Sequence, residues 1–249
     1  MTASVTHIWR HPIKSHGREQ IASVDLTAGM TMPWDRTWAV RHEASTADGT
    51  KWEQCVNFSR GAKAPALMAL DAKLDEANGA VTLSHPELGQ LTFDPDLNPD
   101  RFLDWVRPLM PPERAQSAQI VRVPGRGMTD TDFPSISLMN HASHRAVSQR
   151  AAQELSVKRW RGNIWLDGLG PWEEFEWIDR SVQIGEAVIR IRDRIQRCRA
   201  TTANPDTGSI DVDLLTVLNQ GWDHQDFGVY GEVIKSGRIA VGDRLDVVS

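Results

Sequence analysis

Short stretches that alternate apolar with polar residues, or stay apolar throughout, dominate this chain. They fall at residues 5–9, 21–26, 37–41, 66–74, 80–84, 91–93, 120–123, 163–166, 181–184, 187–192, 229–234 and 238–247. Gly, Pro and Asp punctuate them, and that pattern predicts a mainly β protein of closed or partly closed barrels. Helical signals are few. Residues 99–108 follow an Asn-Pro-Asp start and carry Phe102, Leu103 and Val106; residues 143–155 follow an apolar run; residues 213–220 space leucines for one or two turns. Residues 108–119 (PLMPPERAQSAQ) read as a linker between regions at 1–107 and 120–249, although a surface loop within one body fits the same stretch. A second loop, residues 124–133, is polar and glycine-bearing.

Composition narrows the function classes. At 249 residues and 40% hydrophobic content the chain can bury a sizeable core without disulfide or zinc staples. A net charge of -5 gives no global reason to expect nucleic acid or membrane binding. Two cysteines, Cys55 and Cys198, are too few for an iron–sulfur cluster or a cysteine-rich zinc site. The amino-terminal stretch lacks a secretory apolar run, and no segment approaches the length of a membrane span, so a cytoplasmic protein with reduced thiols is expected. Eight histidines offer no third ligand at convincing spacing, and no Walker A loop, GxGxxG, HExxH or serine elbow occurs.

Four clusters carry candidate chemistry. In RIQRCRATTANPDTG, Cys198 lies between Arg197 and Arg199 before a strong turn signature; these arginines would favour its thiolate, while an inert free cysteine is the competing reading. In HPIKSHGRE, Lys14 offers a point charge and Ser15 a donor for an oxyanion, or the stretch is an ordinary polar loop. Asp35 and Arg36 sit among tryptophans in MPWDRTW, as a structural pair or an anion contact. In KRWRGNIW, period two points Arg161 and Asn163 the same way, an arrangement able to clamp a phosphate and hydrogen-bond a heterocycle. Trp34, Trp160 and Trp165 read as core or as the wall of a cleft for flat substrates.

The order of these clusters resembles the MOSC family, in the branch with an amino-terminal MOSC β-barrel that includes amidoxime-reducing components and bacterial reductases of N-hydroxylated compounds. The resemblance spans nearly the whole chain. Arg197-Cys198, Thr201-Thr202 and Pro205-Asp206-Thr207-Gly208 resemble the family's cysteine motif; His11-Pro12-Ile13-Lys14-Ser15 and Asp35-Arg36-x-Trp38 are similar to two further segments, and Phe227 to Tyr230 to a barrel strand. The resemblance implies a MOSC-type β-barrel preceded by a β-barrel region, with Cys198 as molybdenum ligand. It implies contacts from Lys14, Ser15, Arg36, Arg161, Asn163, Arg197 and Thr201 to a molybdenum cofactor (Mo-molybdopterin). It further implies a small-molecule N-oxygenated substrate and a separate electron-donor protein; the alternative is a non-redox cofactor carrier or a persulfide sulfur-transfer protein. The chain departs from the pattern at Ile195, where the family has a cysteine, at His11, where it has an aromatic, and across residues 51–65, especially at Glu53, Gln54, Asn57 and Arg60. Cys55 lies in the same stretch and reads as a buried or surface thiol, with an approach to the cofactor as the alternative.

Overall fold

The computed structural model describes residues 3–248. In chain order the elements are β1 (Ser4–Arg10), β2 (Glu19–Ile21), β3 (Ser23–Leu26), β4 (Trp38–His42), β5 (Asp71–Asp75), β6 (Ala80–His85), β7 (Gly89–Phe93), α1 (Pro99–Val106), β8 (Ser117–Arg122), β9 (Ile136–Asn140), α2 (His141–Arg150), β10 (Ile164–Asp167), β11 (Ser181–Ile184), β12 (Ala187–Gln196), α3 (Leu214–Trp222), β13 (Asp226–Lys235), β14 (Gly237–Ala240) and β15 (Leu245–Val248). Short 3-10 turns fill several connections. The fold is mainly β, as the alternation predicts.

Eight strands form one sheet in the order β15-β11-β12-β13-β9-β10-β1-β2. It curls until its edges meet: Ser4 bridges Arg244, and Val5 N–H donates to Asp243 O at 2.9 Å. Strand β1 therefore changes partners along its length, giving its first residues to the 242–245 segment and Ile8 to Arg10 to β2. Closure removes exposed strand edges, and the interior fills with Ile8, Ile136, Leu138, Ile164, Val182, Ile189, Ile191 and Val229. A β5-β6-β7 meander, the β4-β8 ribbon and α1 enclose a second core around Trp38, Leu67, Leu83 and Phe102.

Differences from the sequence reading have local causes. Residues 66–74 are not one strand: Pro65 begins a 3-10 turn ending at Ala69, and pairing starts only at Asp71. Strand β9 was not predicted. All five of its residues are buried, and it pairs parallel with β10, so it lacks the alternation that marks a half-buried strand. The expected linker also carries structure, because β8 begins at Ser117 and pairs with β4. Nor do the strands divide at residues 108–119, since β1 and β2 join the large sheet and β3 pairs with β14.

Candidate functional site

A cavity of about 460 Å³ opens where the loop after β1, the turn before β4, the turn before β10 and the end of β12 converge. Its wall includes Lys14, Ser15, Arg36, Arg161, Arg197, Cys198 and Thr201. The volume suits a small molecule or cofactor. Three of these residues, Ser15 (φ 63°), Arg36 (φ 53°) and Arg161 (φ 49°), occupy the left-handed backbone region. Non-glycine residues there cost about 1–3 kcal/mol each and persist where surrounding structure fixes them. Here long-range bonds do so: Arg36 N–H donates to His11 O at 2.7 Å, and its guanidinium donates to Arg161 O at 3.0 Å.

The charge arrangement is uneven. Lys14 Nζ donates to Met128 O at 2.8 Å and pairs with Asp130; Arg36 pairs with buried Asp35. Burial favours the neutral acid at Asp35, yet Arg36 and His11 hold its carboxyl well below the ordinary range. His11 is correspondingly held neutral, with its pKa lowered to about 3 by burial, then by Arg161 and Arg36. Arg161 has no such answer. Both of its terminal guanidinium nitrogens are buried and without a hydrogen-bond partner. Burial, then Arg36 and Arg18, push its pKa down to about 9. An unpaired buried guanidinium on a residue that lines a cavity suits an anionic ligand, since leaving it unmatched costs free energy.

Cys198 stands at the end of β12, where the chain turns into a 3-10 segment, Arg199–Thr202. Thr201 is committed locally: its hydroxyl donates to Cys198 O at 3.0 Å. Arg197 is committed to carbonyls, with Nε donating to Phe227 O at 2.8 Å and NH1 to Trp160 O at 2.8 Å. Its guanidinium also lies 5.6 Å from the Trp160 ring and 5.7 Å from the Phe227 ring. The turn that follows is clamped by Arg159, which reaches Ala203 O at 2.9 Å and Asp211 at 2.6 Å. Gly208 (φ 73°) closes it against Ala66, where an added Cβ would sit 2.6 Å from the Ala66 Cα.

The expected thiolate character of Cys198 is corrected by this geometry. Burial by the cavity walls pushes the thiol above its usual range; the Ala200 amide and Arg197 lower it, Asp130 and Cys55 raise it, and burial prevails. Arginines near in sequence do not face the sulfur simply because they flank it. The cofactor-free protein should therefore react with iodoacetamide at Cys198 more slowly than free cysteine at pH 8, as followed by intact mass. Equal or faster alkylation would contradict a raised thiol pKa.

Asn163 stands apart from the main cavity and lines a smaller recess beside it. Its amide oxygen accepts from Ser137 Oγ at 2.8 Å and its Nδ2 donates to Trp9 O at 3.1 Å, so the side chain fastens β9 to β1. Of the three tryptophans read as core or cleft wall, Trp160 lines the cavity, stacked on Phe227 at 3.8 Å. Trp165 is buried in the core behind it, and Trp34 packs on Trp38 at 5.8 Å. Ile195 is buried in that same core while also lining the cavity. Cys55 lines the cavity and accepts from Arg60 at 3.1 Å. Asp130 and Asp193 also line it, with no spacing pattern to mark them, as does Tyr230 from the segment similar to a barrel strand.

Among the described residues no three His, Cys, Asp or Glu side chains gather as a metal-ligand set. A metal at Cys198 would thus take its remaining ligands from a cofactor. The donor set fits a phosphate-bearing group with a soft metal centre: one thiol able to ionise and ligate, and an orphaned buried guanidinium in the same cavity. No described helix is long and apolar enough to cross a membrane.

A 141-residue stretch is 30% identical to the molybdenum cofactor sulfurase of Drosophila grimshawi, covering 53% of this chain and 18% of that protein. The chain thus spans less than a fifth of that relative's length. Among solved structures, the YUAD protein from Bacillus subtilis is 11% identical, with 99% of this chain and 96% of that one covered and a TM-score of 0.49. YiiM from Geobacillus stearothermophilus is 19% identical over 46% of this chain and 54% of its own, with a TM-score of 0.35. Residues 2–104 match the MOSC N-terminal beta barrel domain and residues 128–246 the MOSC domain. The chain belongs to the MOSC family, with the N-terminal beta barrel domain preceding the MOSC domain.

Proposed function

We propose that this protein is a molybdenum-cofactor-dependent oxidoreductase that reduces N-hydroxylated or related N-oxygenated small molecules. The observation that carries the reading is the shared cavity of Cys198 and the unpartnered guanidinium of Arg161. Cys198 would hold the metal through its sulfur; Arg161, with Lys14, Ser15 and Arg36, would hold the phosphate and pterin. When bound, the cofactor supplies the two-electron redox chemistry. For a hydroxylamine the balance is R–NH–OH plus two protons and two electrons to R–NH₂ plus water, with cleavage of the N–O bond. A separate electron-donor protein supplies the electrons.

The chain's own residues bind, orient and keep protons in place. Trp160 lines the cavity while almost wholly buried, and stacking on Phe227 fixes its ring. Tyr230 lines the cavity, and its hydroxyl stays protonated because burial, followed by Asp130, drives its pKa upward. Lys14 and Arg36 enter the site already paired, so the unpaired charge of Arg161 is the one that an incoming phosphate neutralises.

Chemically reduced holoprotein is expected to convert a panel of amidoximes, hydroxylamines or N-oxides to their reduced products. Molybdenum-loaded protein that reduces none of them would overturn the reading. The similarity to a protein named molybdenum cofactor sulfurase favours a second reading, in which Cys198 carries a transferable sulfur. Intact mass separates the two, because a persulfide adds one sulfur atom that a thiol acceptor removes.

A further inference from the structure

We propose that Arg60 and Arg194 form an anion-selecting mouth on the Cys198 cavity, so that the preferred substrate carries an anionic oxygen substituent, a carboxylate or a phosphate. This assignment of substrate class rests on the reductase reading above.

The argument starts from which cationic side chains of the cavity are already answered. Lys14 has Asp130, Arg36 has Asp35, Arg159 has Asp211, and Arg197 is saturated by the carbonyls of Trp160 and Phe227. Arg161 is the guanidinium left for a cofactor phosphate. Arg60 and Arg194 also line the cavity, and among the described residues neither has a carboxylate within ion-pair distance. Arg60 donates one bond, to Cys55 Sγ at 3.1 Å, and thiol sulfur is a weak acceptor. Arg194 lies over the Phe175 ring at 4.3 Å, a contact that orients its plane without using its donors.

Both lie on segments that adjoin the Cys198 turn and line the same cavity. Arg194 precedes Cys198 by four residues at the end of β12. Arg60 adjoins Gly61, where an added Cβ would meet the Ala200 Cβ at 3.4 Å, so the Arg60 loop packs on the turn that follows Cys198. One cation therefore comes from the N-terminal region and one from the MOSC domain, on two segments that adjoin the same turn. Asp193, next to Arg194 in sequence, also lines the cavity. It offers an acceptor to an N–H-bearing head such as an amidoxime, while the arginine forks suit a carboxylate or phosphate. The departure of residues 51–65 from the reductase pattern then acquires a use, since this segment supplies Arg60.

The test compares three unreactive amides on molybdenum-loaded protein: benzamide, 4-carboxybenzamide and 4-phosphonobenzamide, with binding measured by calorimetry. The matching amidoximes are assayed for turnover. Both anionic amides should bind about tenfold more tightly than benzamide, and the preference should shrink at about 0.5 M salt. R60Q and R194Q should each remove most of that preference, R60K should retain it, and the change in turnover should appear in KM with kcat held. Preference for one anion alone identifies whether carboxylate or phosphate is the match. Equal binding of neutral and anionic amides, with amidoxime turnover intact, overturns the mouth and leaves the reductase reading standing. Anion preference lost in the two variants, without turnover of any amidoxime, supports the mouth and overturns the reductase reading.

Discussion

Cys198→Ser is expected to lower turnover by more than about a hundredfold, because even residues that only support metal ligands typically cost 10–100-fold. A serine hydroxyl is harder, less polarizable and far less acidic than a thiol, so it is a poor replacement for the soft donor. The fold should survive the exchange, because the Cys198 side chain makes no structural hydrogen bond comparable to those of Arg197 or Thr201. Thermal unfolding of the cofactor-free protein should therefore be unchanged while molybdenum retention and turnover fall together. Full turnover with an unaltered molybdenum spectrum in C198S would reject Cys198 as the ligand.

Arg161→Met should move the stability of the cofactor-free and cofactor-bound proteins in opposite directions. Without ligand, the guanidinium is buried, unpartnered and close enough to Arg36 and Arg18 to be disfavoured by both. Removing an unsatisfied buried polar group relieves a cost of about 1–3 kcal/mol, so the cofactor-free variant should be at least as stable as the parent. Arg161 is also held in the left-handed region, where methionine carries the same backbone strain, so the comparison isolates the charge. With cofactor supplied, the variant should lose most of the stabilisation that ligand binding gives the parent, together with at least about tenfold in cofactor affinity. Denaturant midpoints of both forms test this. A cofactor-free variant less stable than the parent, with cofactor affinity intact, would make Arg161 a structural residue.

Much of the fold is legible in the sequence because a sheet with one buried face writes its period into the chain. Strand β12 shows this: Ala187, Ile189, Ile191 and Ile195 are buried, while Arg190, Arg192 and Arg194 are exposed. The same strand shows the limit, since its register shifts between Ile191 and Asp193 and the simple alternation slips there. Strand β9 is silent because burial on both faces leaves no period. The break of 238–247 into β14 and β15 falls at Gly242 (φ 96°), a position that the apolar count alone passes over.

The site was legible in a different way. Lys14, Ser15, Arg36, Arg161 and Cys198 come from segments far apart in sequence, and only their resemblance to family motifs links them before the fold brings them into one cavity. What the motifs do not encode is how each donor is spent. Arg161 is free and Arg197 is saturated, although both were read as cofactor contacts; carbonyls supplied by distant strands decide the difference. Asn163 likewise turns its amide to Ser137 and Trp9, a choice set by the packing of β9 against β1 and β10. Cys55 and Arg60 enter the cavity because their loop packs on the Cys198 turn, a tertiary contact with no sequence signal.

The most direct test of the account is the molybdenum and pterin content of protein isolated from a host with intact cofactor biosynthesis. The account predicts about one molybdenum and one pterin per chain, with retention reduced on Cys198→Ser or Arg161→Met. Protein that holds neither under demonstrated saturating cofactor supply would contradict it.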